Sequence, residues 1–365
     1  MFEEAVGSGS GRCGEVKEVR YRLGSRIRGV EGCFNERTIA DYEWALSHHL
    51  LPFFREHRFD AITVEEVGRY KAAKLREGRL GASQLNKTLK RLSQILEVAE
   101  EYEYIARNPA RGKRRRVKAP KTRRSWVEPE QALPLIEGAP RSLRPLVATL
   151  IGAGLRVGEA VALDWSDVNL ATSTLRVGRA KTDAGSYREV DLTAGLVEEL
   201  TEWKVWSAPV LTRWKKQHPG GGEPVFLSSH RQLRRQSAAN VARRLKTAIK
   251  TANKRLVELG IEPISDRVTP HSLRRTFASL RAAAGDDPVY IAEQLGHTDP
   301  RFTLTVYTKA VKRRAKLSGA YLAEYERALA WAALPRAEWA ATGSDARFDA
   351  SQDRKRLHRL PSDLA

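Results

Sequence analysis

The amino-acid sequence predicts a mainly α-helical chain with a small β-sheet, the α+β class, divided into an N-terminal helical domain and a larger C-terminal domain. Apolar residues recur at helical spacing in several long stretches, whereas strand-like segments are confined to 173–178 and 187–192. Between the two helical regions lies a stretch rich in proline and basic residues, 109–125, whose composition cannot form a core. These observations together predict two folded domains and a linker.

The composition of the chain indicates which class of molecule the protein binds. The 365 residues include 64 Lys and Arg against 44 Asp and Glu, which gives a formal net charge of +20. Such a chain is drawn to polyanions, and nucleic acid is the first expectation; a merely basic surface is the alternative. No stretch approaches the ~20 apolar residues that a membrane-spanning helix needs, so no span and no membrane partner are expected.

Residues 1–35 are rich in glycine and charge, and we interpret them as a basic leader or a small nucleic-acid-contacting module. They contain no basic region followed by an apolar run, so we expect no signal peptide. The two cysteines, Cys13 and Cys33, form no CxxC motif and fit a reducing, cytoplasmic setting.

Residues 36–108 are predicted to form a small domain of about four helices. Thr63 followed by Glu66 is a capping box that opens a helix ending near Arg76, and Ser83 is the candidate N-cap of the next helix. One face of that next helix is basic: Lys87, Lys90 and Arg91. This face is either an ordinary solvated surface or a surface that lies on a phosphate backbone.

The linker 109–125 is interpreted as a basic strap that follows a nucleic-acid backbone, with simple solubility as the alternative. Each phosphate contact would add affinity and salt dependence through counterion release. The basic residues expected to make these contacts are Lys113, Arg114, Arg115, Arg116, Lys118, Lys121, Arg123 and Arg124.

The C-terminal domain is predicted over 126–320. A long apolar helical stretch broken by Gly152 and Gly154 precedes the two strands, and the turn between the strands contains Asp183 and Gly185. Further helices are predicted over 194–206, 237–259, 272–284 and 285–297. A C-terminal helix, 321–340, and a disordered tail, 341–365, follow. The apolar face of that helix is expected to include Leu317, Tyr321, Tyr325, Leu329 and Trp331.

Four separated motifs carry side chains suited to phosphoryl transfer. These are GLRVGE with Arg156, AKTDAG with Lys181, TPHSLRR with His271 and Arg274, and LGHTDPRFTLTVYTKA with His297 and Tyr307. Arginine presents a planar, permanently charged fork that matches phosphate oxygens. A tyrosine hydroxyl is a poor nucleophile unless a neighbouring group takes its proton. We find no Walker loop and no HExxH motif, and we expect neither a metal site nor a cofactor.

In this order, the motifs resemble the catalytic signature of the tyrosine recombinase or phage integrase family, with its lambda-integrase-like members. The resemblance covers roughly residues 36–325. It implies a core-binding (SAM-like) helical domain followed by the family's catalytic domain, and residues 1–35 would then be a leader or the remnant of an arm-binding segment. The implied catalytic set is Arg156, Lys181, His271, Arg274, His297 and the nucleophile Tyr307.

The resemblance also implies a role for each residue. The two arginines would stabilise charge on the nonbridging oxygens, and His297 would donate to one of them. His271 would relay the proton of Tyr307, and Lys181 would protonate the departing 5′-oxygen. Glu159, one helical turn after the first arginine, either orients a catalytic side chain or offsets its charge. Arg275 occupies a position where the family often has a second histidine.

The function implied is site-specific cleavage and rejoining of double-stranded DNA through a covalent 3′-phosphotyrosine, without metal or ATP, in integration or excision of a mobile element. The protein would be a free monomer and a homotetramer on DNA in the bacterial cytoplasm, at the nucleoid, with possible accessory DNA-bending or directionality factors. Its C-terminal helix would dock on a neighbouring protomer; packing on its own domain is the alternative. The rival functions are a type IB topoisomerase-like enzyme and a non-catalytic DNA-binding relative.

Overall fold

The structure is a computed structural model, and it describes residues 36–120, 125–178, 186–228, 233–296, 313 and 317–335. The chain divides into two units, Met1–Arg123 and Arg124–Ala365. The described part is mainly helical with one three-stranded antiparallel sheet, which confirms the predicted fold class. The segments 1–35 and 341–365 lie outside the described residues.

The first unit has three helices within residues 36–120, where the sequence predicted about four. Helix α1 is α-helical over Glu36–Ala45, π-helical over Leu46–Leu50 and α-helical again over Leu51–Phe54. Helix α2 spans Val64–Glu77 and helix α3 spans Ala82–Glu101. Their apolar faces meet in one core that includes Leu50, Phe54, Val67, Tyr70, Leu85, Leu89, Leu92 and Leu96.

The caps of α2 and α3 differ in how well the sequence predicted them. Thr63 caps α2, because its hydroxyl accepts a hydrogen bond from the Glu66 backbone N–H at 3.3 Å. The other half of the predicted capping box is not formed, since the Thr63 backbone N–H donates to the Ala61 carbonyl at 3.0 Å. The Glu66 carboxylate binds Arg69 at 2.8 Å. The prediction for α3 was wrong: Gly81 is its N-cap, and Ser83 lies inside the first turn.

Part of the predicted linker lies against the first unit. The side chain of Asn86, on α3, donates to the Val117 carbonyl at 2.8 Å and accepts from the Val117 N–H at 2.8 Å. Ala110 is buried in the core of this unit, and the Asn108 amide donates to the Ser93 carbonyl at 2.8 Å. The basic stretch 113–118 is therefore carried on a backbone that α3 anchors.

The second unit begins with three short helices. The apolar stretch that reads as one interrupted run forms α4 (Pro129–Glu137), α5 (Arg144–Gly152) and α6 (Val157–Ala162). Helix α5 is buried from Pro145 to its end, because apolar residues surround its axis and other elements cover every side. It forms the centre of this unit.

The sheet follows α6 in the chain and precedes the long helices. Strands β1 (Val168–Asn169), β2 (Thr174–Arg176) and β3 (Glu189–Asp191) pair in that order, antiparallel, with Leu175 opposite Val190. The two longer strands fall within the segments predicted as strands. The residues 179–185 that join them, including Lys181, lie outside the described residues.

Five helices complete the second unit: α7 (Ala194–Gln217), α8 (Ala238–Glu258), α9 (Pro270–Ala283), α10 (Pro288–Leu295) and α11 (Gly319–Trp331). Helix α7 continues beyond its predicted end at residue 206. No helix in the described ranges is long and apolar enough to cross a membrane.

The C-terminal helix packs against its own unit. Helix α11 contacts α4, α7 and α9, Tyr325 is buried, and the Tyr321 hydroxyl accepts a backbone N–H at 2.8 Å. The Trp331 ring lies over Gly152 and Gly195, which have no side chain to displace it. The face expected to dock on a neighbouring protomer is therefore occupied within the chain, as in the alternative, and the helix ends at Trp331.

Replacing Gly195 with alanine tests this packing. A Cβ atom there would lie 2.0 Å from Trp331 Cδ1, so the ring must move. We expect the free energy of unfolding of the second unit to fall by about 1–3 kcal/mol, as measured by chemical denaturation. The matched control is Gly158→Ala in α6, where a Cβ meets nothing within 4 Å. A Gly195→Ala variant as stable as this control would contradict the packing.

Candidate active site

A tight turn positions the first arginine motif. Helix α5 ends at Gly152, and Gly154 has φ of 62°, a left-handed conformation that glycine adopts without strain. A Cβ at Gly154 would lie 2.6 Å from a Phe277 ring carbon and 2.9 Å from a Leu295 methyl carbon. Phe277 of α9 and Leu295 of α10 thus lie close to this turn. Arg156 follows the turn and directly precedes α6.

Arg156 and Glu159 form a paired unit at the start of α6. Arg156 Nη1 donates to Glu159 Oε1 at 2.7 Å, and the Arg156 backbone N–H donates to Glu159 Oε2 at 2.9 Å. The Glu159 side chain is 6% exposed and that of Arg156 is 26% exposed. The carboxylate therefore fixes the guanidinium while part of it stays open to solvent or to a ligand.

Arg188 reaches the same carboxylate from the hairpin. Its Nη2 donates to Glu159 Oε2 at 2.8 Å, and its Nε donates to the Gln294 carbonyl at 3.0 Å. Arg188 is not among the residues that the sequence predicts for the site. A signal was present: in a strand, residues two apart share a face, so Arg188 lies on the same face as the buried Val190 and Leu192.

Arg274, on α9, is the most deeply buried charge of the cluster. Its side chain is 2% exposed; Nη1 donates to the Gly154 carbonyl at 2.5 Å, and Nη2 donates to the Leu295 carbonyl. Burial, and then the positive charges of Arg156 and Arg188, lower the pKa of Arg274 to about 9, with Glu159 opposing them. The guanidinium stays charged at neutral pH, and no carboxylate binds it within the described residues.

Glu159 is the carboxylate that contacts Arg156 and Arg188. Burial acts to raise the pKa of Glu159, but hydrogen bonds and charge from Arg188, together with hydrogen bonds from Arg156, outweigh it and lower the pKa below the ordinary value. Glu159 is therefore ionised at neutral pH. The cluster sets three guanidinium groups against this one carboxylate, and the positive excess suits a ligand with negatively charged oxygens.

His271 lies at the start of α9, one turn before Arg274, and its side chain is exposed. The HxxR spacing puts both residues on neighbouring positions of the helix surface. The two side chains differ in solvent exposure: the His271 imidazole is exposed, whereas the Arg274 guanidinium is buried. The exposure of His271 suits a group that exchanges protons, and the burial of Arg274 suits a group that supplies a fixed charge.

The end of α10 is held by the same arginines. The carbonyls of Gln294 and Leu295 accept from Arg188 and Arg274 in turn, and Gly296 then closes the helix with φ of 57°. His297 follows Gly296 directly in the chain but lies outside the described residues, as do Lys181 and Tyr307. Their catalytic roles stay predictions.

Arg313, six residues beyond Tyr307, is bound to the start of α4. Its guanidinium contacts the carboxylates of Glu130, which is 1% exposed, and of Glu128, at 3.5 Å for the latter. These contacts attach Arg313 to the start of α4.

Tyr290 and Tyr321, the tyrosines on either side of Tyr307 in the sequence, are engaged elsewhere. The Tyr290 hydroxyl donates to Asp191 Oδ2 at 2.5 Å, and burial together with that carboxylate raises the pKa of Tyr290. The Tyr321 hydroxyl accepts the Glu262 N–H. Both hydroxyls serve the packing of the unit, and the assignment of Tyr307 as the nucleophile stays a prediction.

The predicted DNA-binding residues of the first unit differ in their surroundings. Lys87 and Lys90 lie exposed on α3, whereas the Arg91 guanidinium stacks over the Tyr42 ring at 3.6 Å. In the anchored stretch the exposed residues are Lys113, Arg114, Arg116 and Lys118. Arg115 donates to the Pro109 carbonyl at 3.2 Å. Lys121, Arg123 and Arg124 lie outside the described residues.

Comparison with known proteins gives consistent matches. The sequence profile of the phage integrase family matches residues 125–314, more than half of the chain. The tyrosine recombinase XerC of Herpetosiphon aurantiacus is 27% identical over 254 residues, covering 66% of this chain and 74% of XerC. The match also spans 66% of the length of the putative defective protein IntQ of Escherichia coli and 72% of the length of the ICEBs1 integrase of Bacillus subtilis.

Two solved structures share the fold. The Tn1549 transposon integrase in complex with transposon right end DNA matches with a TM-score of 0.63 at 17% identity, covering 85% of this chain and 100% of that one. A lambda integrase dimer bound to a core site matches with a TM-score of 0.60 at 21% identity, covering 80% and 94%. Identities this low show a common fold.

The paired arginines predict the effect of Glu159→Gln. This change leaves the buried Arg188 without its carboxylate, so we expect a loss of about 3 kcal/mol in unfolding free energy at neutral pH. Because the folded-state pKa of Glu159 is lowered, its contribution is complete above the ordinary carboxyl pKa and is lost as the pH falls through the lowered value.

Chemical denaturation of the wild type and of Glu159→Gln across a pH series measures the difference in their unfolding free energies. The control is Glu258→Gln, which removes an exposed ion pair with Arg255 and should change stability by less than about 0.5 kcal/mol. A Glu159→Gln defect that stays constant into the acid range would contradict the assignment of an ionised, paired carboxylate.

Proposed function

Because the chain belongs to the phage integrase family of tyrosine recombinases, which catalyse DNA breakage and rejoining, we propose that it is a site-specific recombinase acting through a phosphotyrosine at Tyr307. The observation that carries this proposal is the buried arginine cluster. Arg156 and Arg274 are brought together from distant parts of the sequence, in a cluster of three guanidinium groups and one carboxylate. Such a site suits a phosphodiester whose negative charge increases during attack.

The chemistry is an in-line displacement at phosphorus. The Tyr307 oxygen forms a bond to phosphorus as the bond to the 5′-oxygen breaks, and His271 accepts the tyrosine proton. Lys181 gives a proton to the departing 5′-oxygen. Arg156 and Arg274 stabilise the charge on the nonbridging oxygens, with His297 donating to one of them. The product is a 3′-phosphotyrosine and a free 5′-hydroxyl, and the reverse attack rejoins the strand.

The 3′-phosphotyrosine retains the energy of the broken phosphodiester, so rejoining needs neither ATP nor another energy source. The residues named above supply every proton and charge that the step requires. The proposal therefore includes a reaction that proceeds without a metal ion or cofactor, and the trapping experiment below tests this by including EDTA.

We infer that the substrate is double-stranded DNA at specific sites and that the role is integration or excision of a mobile element. The support is the likeness to a transposon integrase bound to transposon end DNA. A lambda integrase tetramer bound to a Holliday junction shares the fold, with a TM-score of 0.60. We propose the same tetrameric assembly on DNA for this chain, with the nucleoid of a bacterial cytoplasm as its place of action.

Covalent trapping tests the nucleophile. Nicked duplexes from the protein's genomic neighbourhood prevent rejoining, because the short 5′-ended fragment diffuses away after cleavage. We expect a protein–DNA adduct on a denaturing gel, in EDTA, for the wild type and for Tyr290→Phe and Tyr321→Phe, and none for Tyr307→Phe. An adduct that persists in Tyr307→Phe would place the nucleophile elsewhere. Tight binding of the duplexes without any adduct would favour a non-catalytic DNA-binding protein.

The salt dependence of DNA binding tests the basic stretch anchored to α3. Replacing Lys113, Arg114, Arg116 and Lys118 by glutamine should reduce the slope of log Kd against log salt by about 0.9 for each phosphate that the variant no longer neutralises. The control replaces Lys215 and Lys216, exposed on α7, and should leave the slope unchanged. An unchanged slope in the fourfold variant would show that these side chains only solvate the surface.

Relaxation of a supercoiled plasmid separates the recombinase from its nearest rival. A type IB topoisomerase relaxes a plasmid that has no recognition site, whereas a recombinase needs its own sites. We expect no relaxation of a plasmid without sites under conditions that give full trapping on the nicked duplexes. Rapid relaxation of that plasmid, dependent on Tyr307, would contradict site-specific recombination.

A further inference from the structure

Arg188 connects three separate parts of the arginine cluster. It lies directly before β3, three residues after the hairpin segment 179–185 that contains Lys181. Two of its hydrogen bonds run in different directions: Nη2 to Glu159, at the start of α6, and Nε to the Gln294 carbonyl, at the end of α10. One side chain thus joins the hairpin, the first arginine motif and the helix that precedes His297.

The hairpin has a second attachment to α10. The Asp191 backbone N–H donates to Gln294 Oε1 at 2.8 Å, and Gln294 Nε2 donates to Asp191 Oδ2 at 3.3 Å. Strand β3 is therefore held to the end of α10 by Arg188, which precedes its first residue, and by Asp191, its last residue. The stem of the loop that carries Lys181 is fixed relative to the helix that precedes His297.

Arg188 and Arg274 bind successive carbonyls at the end of α10, those of Gln294 and Leu295. The position of this helix end is therefore set by two guanidinium groups, one from the hairpin and one from α9. A displacement of Arg188 would move the helix end, the hairpin and the Glu159 carboxylate together.

Within the described residues, Arg188 is paired with a carboxylate, unlike Arg274, and this pairing makes it less available to a phosphate. Its side chain is 7% exposed, and that of Glu159 is 6% exposed, whereas the Arg156 side chain retains 26% exposure. Arginine alone offers a planar fork with several donors at fixed angles, which is what contacts in different directions require. A lysine ammonium would keep the positive charge but could not contact both the Glu159 carboxylate and the Gln294 carbonyl in the same way.

We propose that Arg188 is a positioning residue of the recombination reaction: it aligns Arg156 through Glu159 and fixes the hairpin and the end of α10, which lead to Lys181 and His297. This inference rests on the proposed function. Because Arg188 acts through Glu159 and the Gln294 carbonyl, its effect is on the rate of cleavage and not on the affinity for DNA.

The first test compares single-turnover cleavage of a nicked duplex with DNA binding, for Arg188→Gln and Arg188→Lys. We expect the cleavage rate constant of Arg188→Gln to fall by about tenfold or more while Kd stays within about twofold, because an interaction that acts only on the reaction step lowers kcat. Arg188→Lys should recover part of the rate. Arg213→Gln, an exposed arginine on α7, is the matched control and should cleave as the wild type does.

A double-mutant cycle with Glu159→Gln separates positioning from simple loss of structure. If Arg188 acts through Glu159, the double variant should cleave no more slowly than the slower single variant. The pH profile gives a second readout. The charged groups that face Glu159 are Arg156, Arg188 and Arg274. Removing Arg188 takes away the largest influence that lowers the pKa of Glu159, so this pKa should rise and the acid limb of the cleavage profile should move to higher pH.

The outcomes are distinct. An unchanged cleavage rate in Arg188→Gln would overturn the role of Arg188 and leave the proposed function intact. Equal losses of rate for Gln and Lys, additive effects with Glu159→Gln, and an unshifted pH profile would show a purely structural residue and also overturn it. Failure of the wild type to form the Tyr307 adduct would overturn the proposed function, and with it the premise of this inference.

Discussion

The buried guanidinium of Arg274 is the charge on which the second unit depends. It is 2% exposed, and main-chain carbonyls from two separate turns satisfy it, those of Gly154 and Leu295. A buried charge is costly unless its hydrogen-bonding groups are paired, so these two turns are constrained to lie beside α9. The absence of a Cβ at Gly154 is what allows this approach, because any side chain there would collide with Phe277 and Leu295.

Glu159 links the groups around this buried charge. Its two carboxylate oxygens bind Arg156 and Arg188, so one side chain connects the start of α6 with the hairpin. The cluster keeps a positive excess that the described residues do not neutralise. Such a preorganised excess costs no further rearrangement when a phosphodiester develops negative charge, which is how electrostatic stabilisation lowers a barrier. The fold therefore prepares the site before any substrate is present.

The sequence predicted the parts of this arrangement that depend on local pattern. Helical periodicity located the main helices, strand-like composition located the hairpin, and the order of the motifs identified the arginines. It missed features that depend on a partner distant in sequence. The apolar face of α11 indicates that the helix packs against another surface, but the sequence does not identify that surface. Trp331 contacts Gly195 only in the folded unit. Asn86 and Val117 likewise join only because the chain returns to α3. The sequence shows that Arg188 alternates with Val190 and Leu192 on one face of a strand. It does not show that Glu159 pairs with this arginine, and without a known partner a basic residue is not expected to be buried.

The measurement that tests the central claim most directly uses a duplex whose scissile phosphate carries a methyl group in place of one nonbridging oxygen. This phosphate is uncharged, so the charge that Arg156 is proposed to stabilise is reduced at its source. We predict that Arg156→Ala cleaves the natural duplex far more slowly than the wild type does and that it loses most of this disadvantage on the methylated duplex. An equal disadvantage on both duplexes would contradict the account, because the arginine would then serve the fold and not the phosphate.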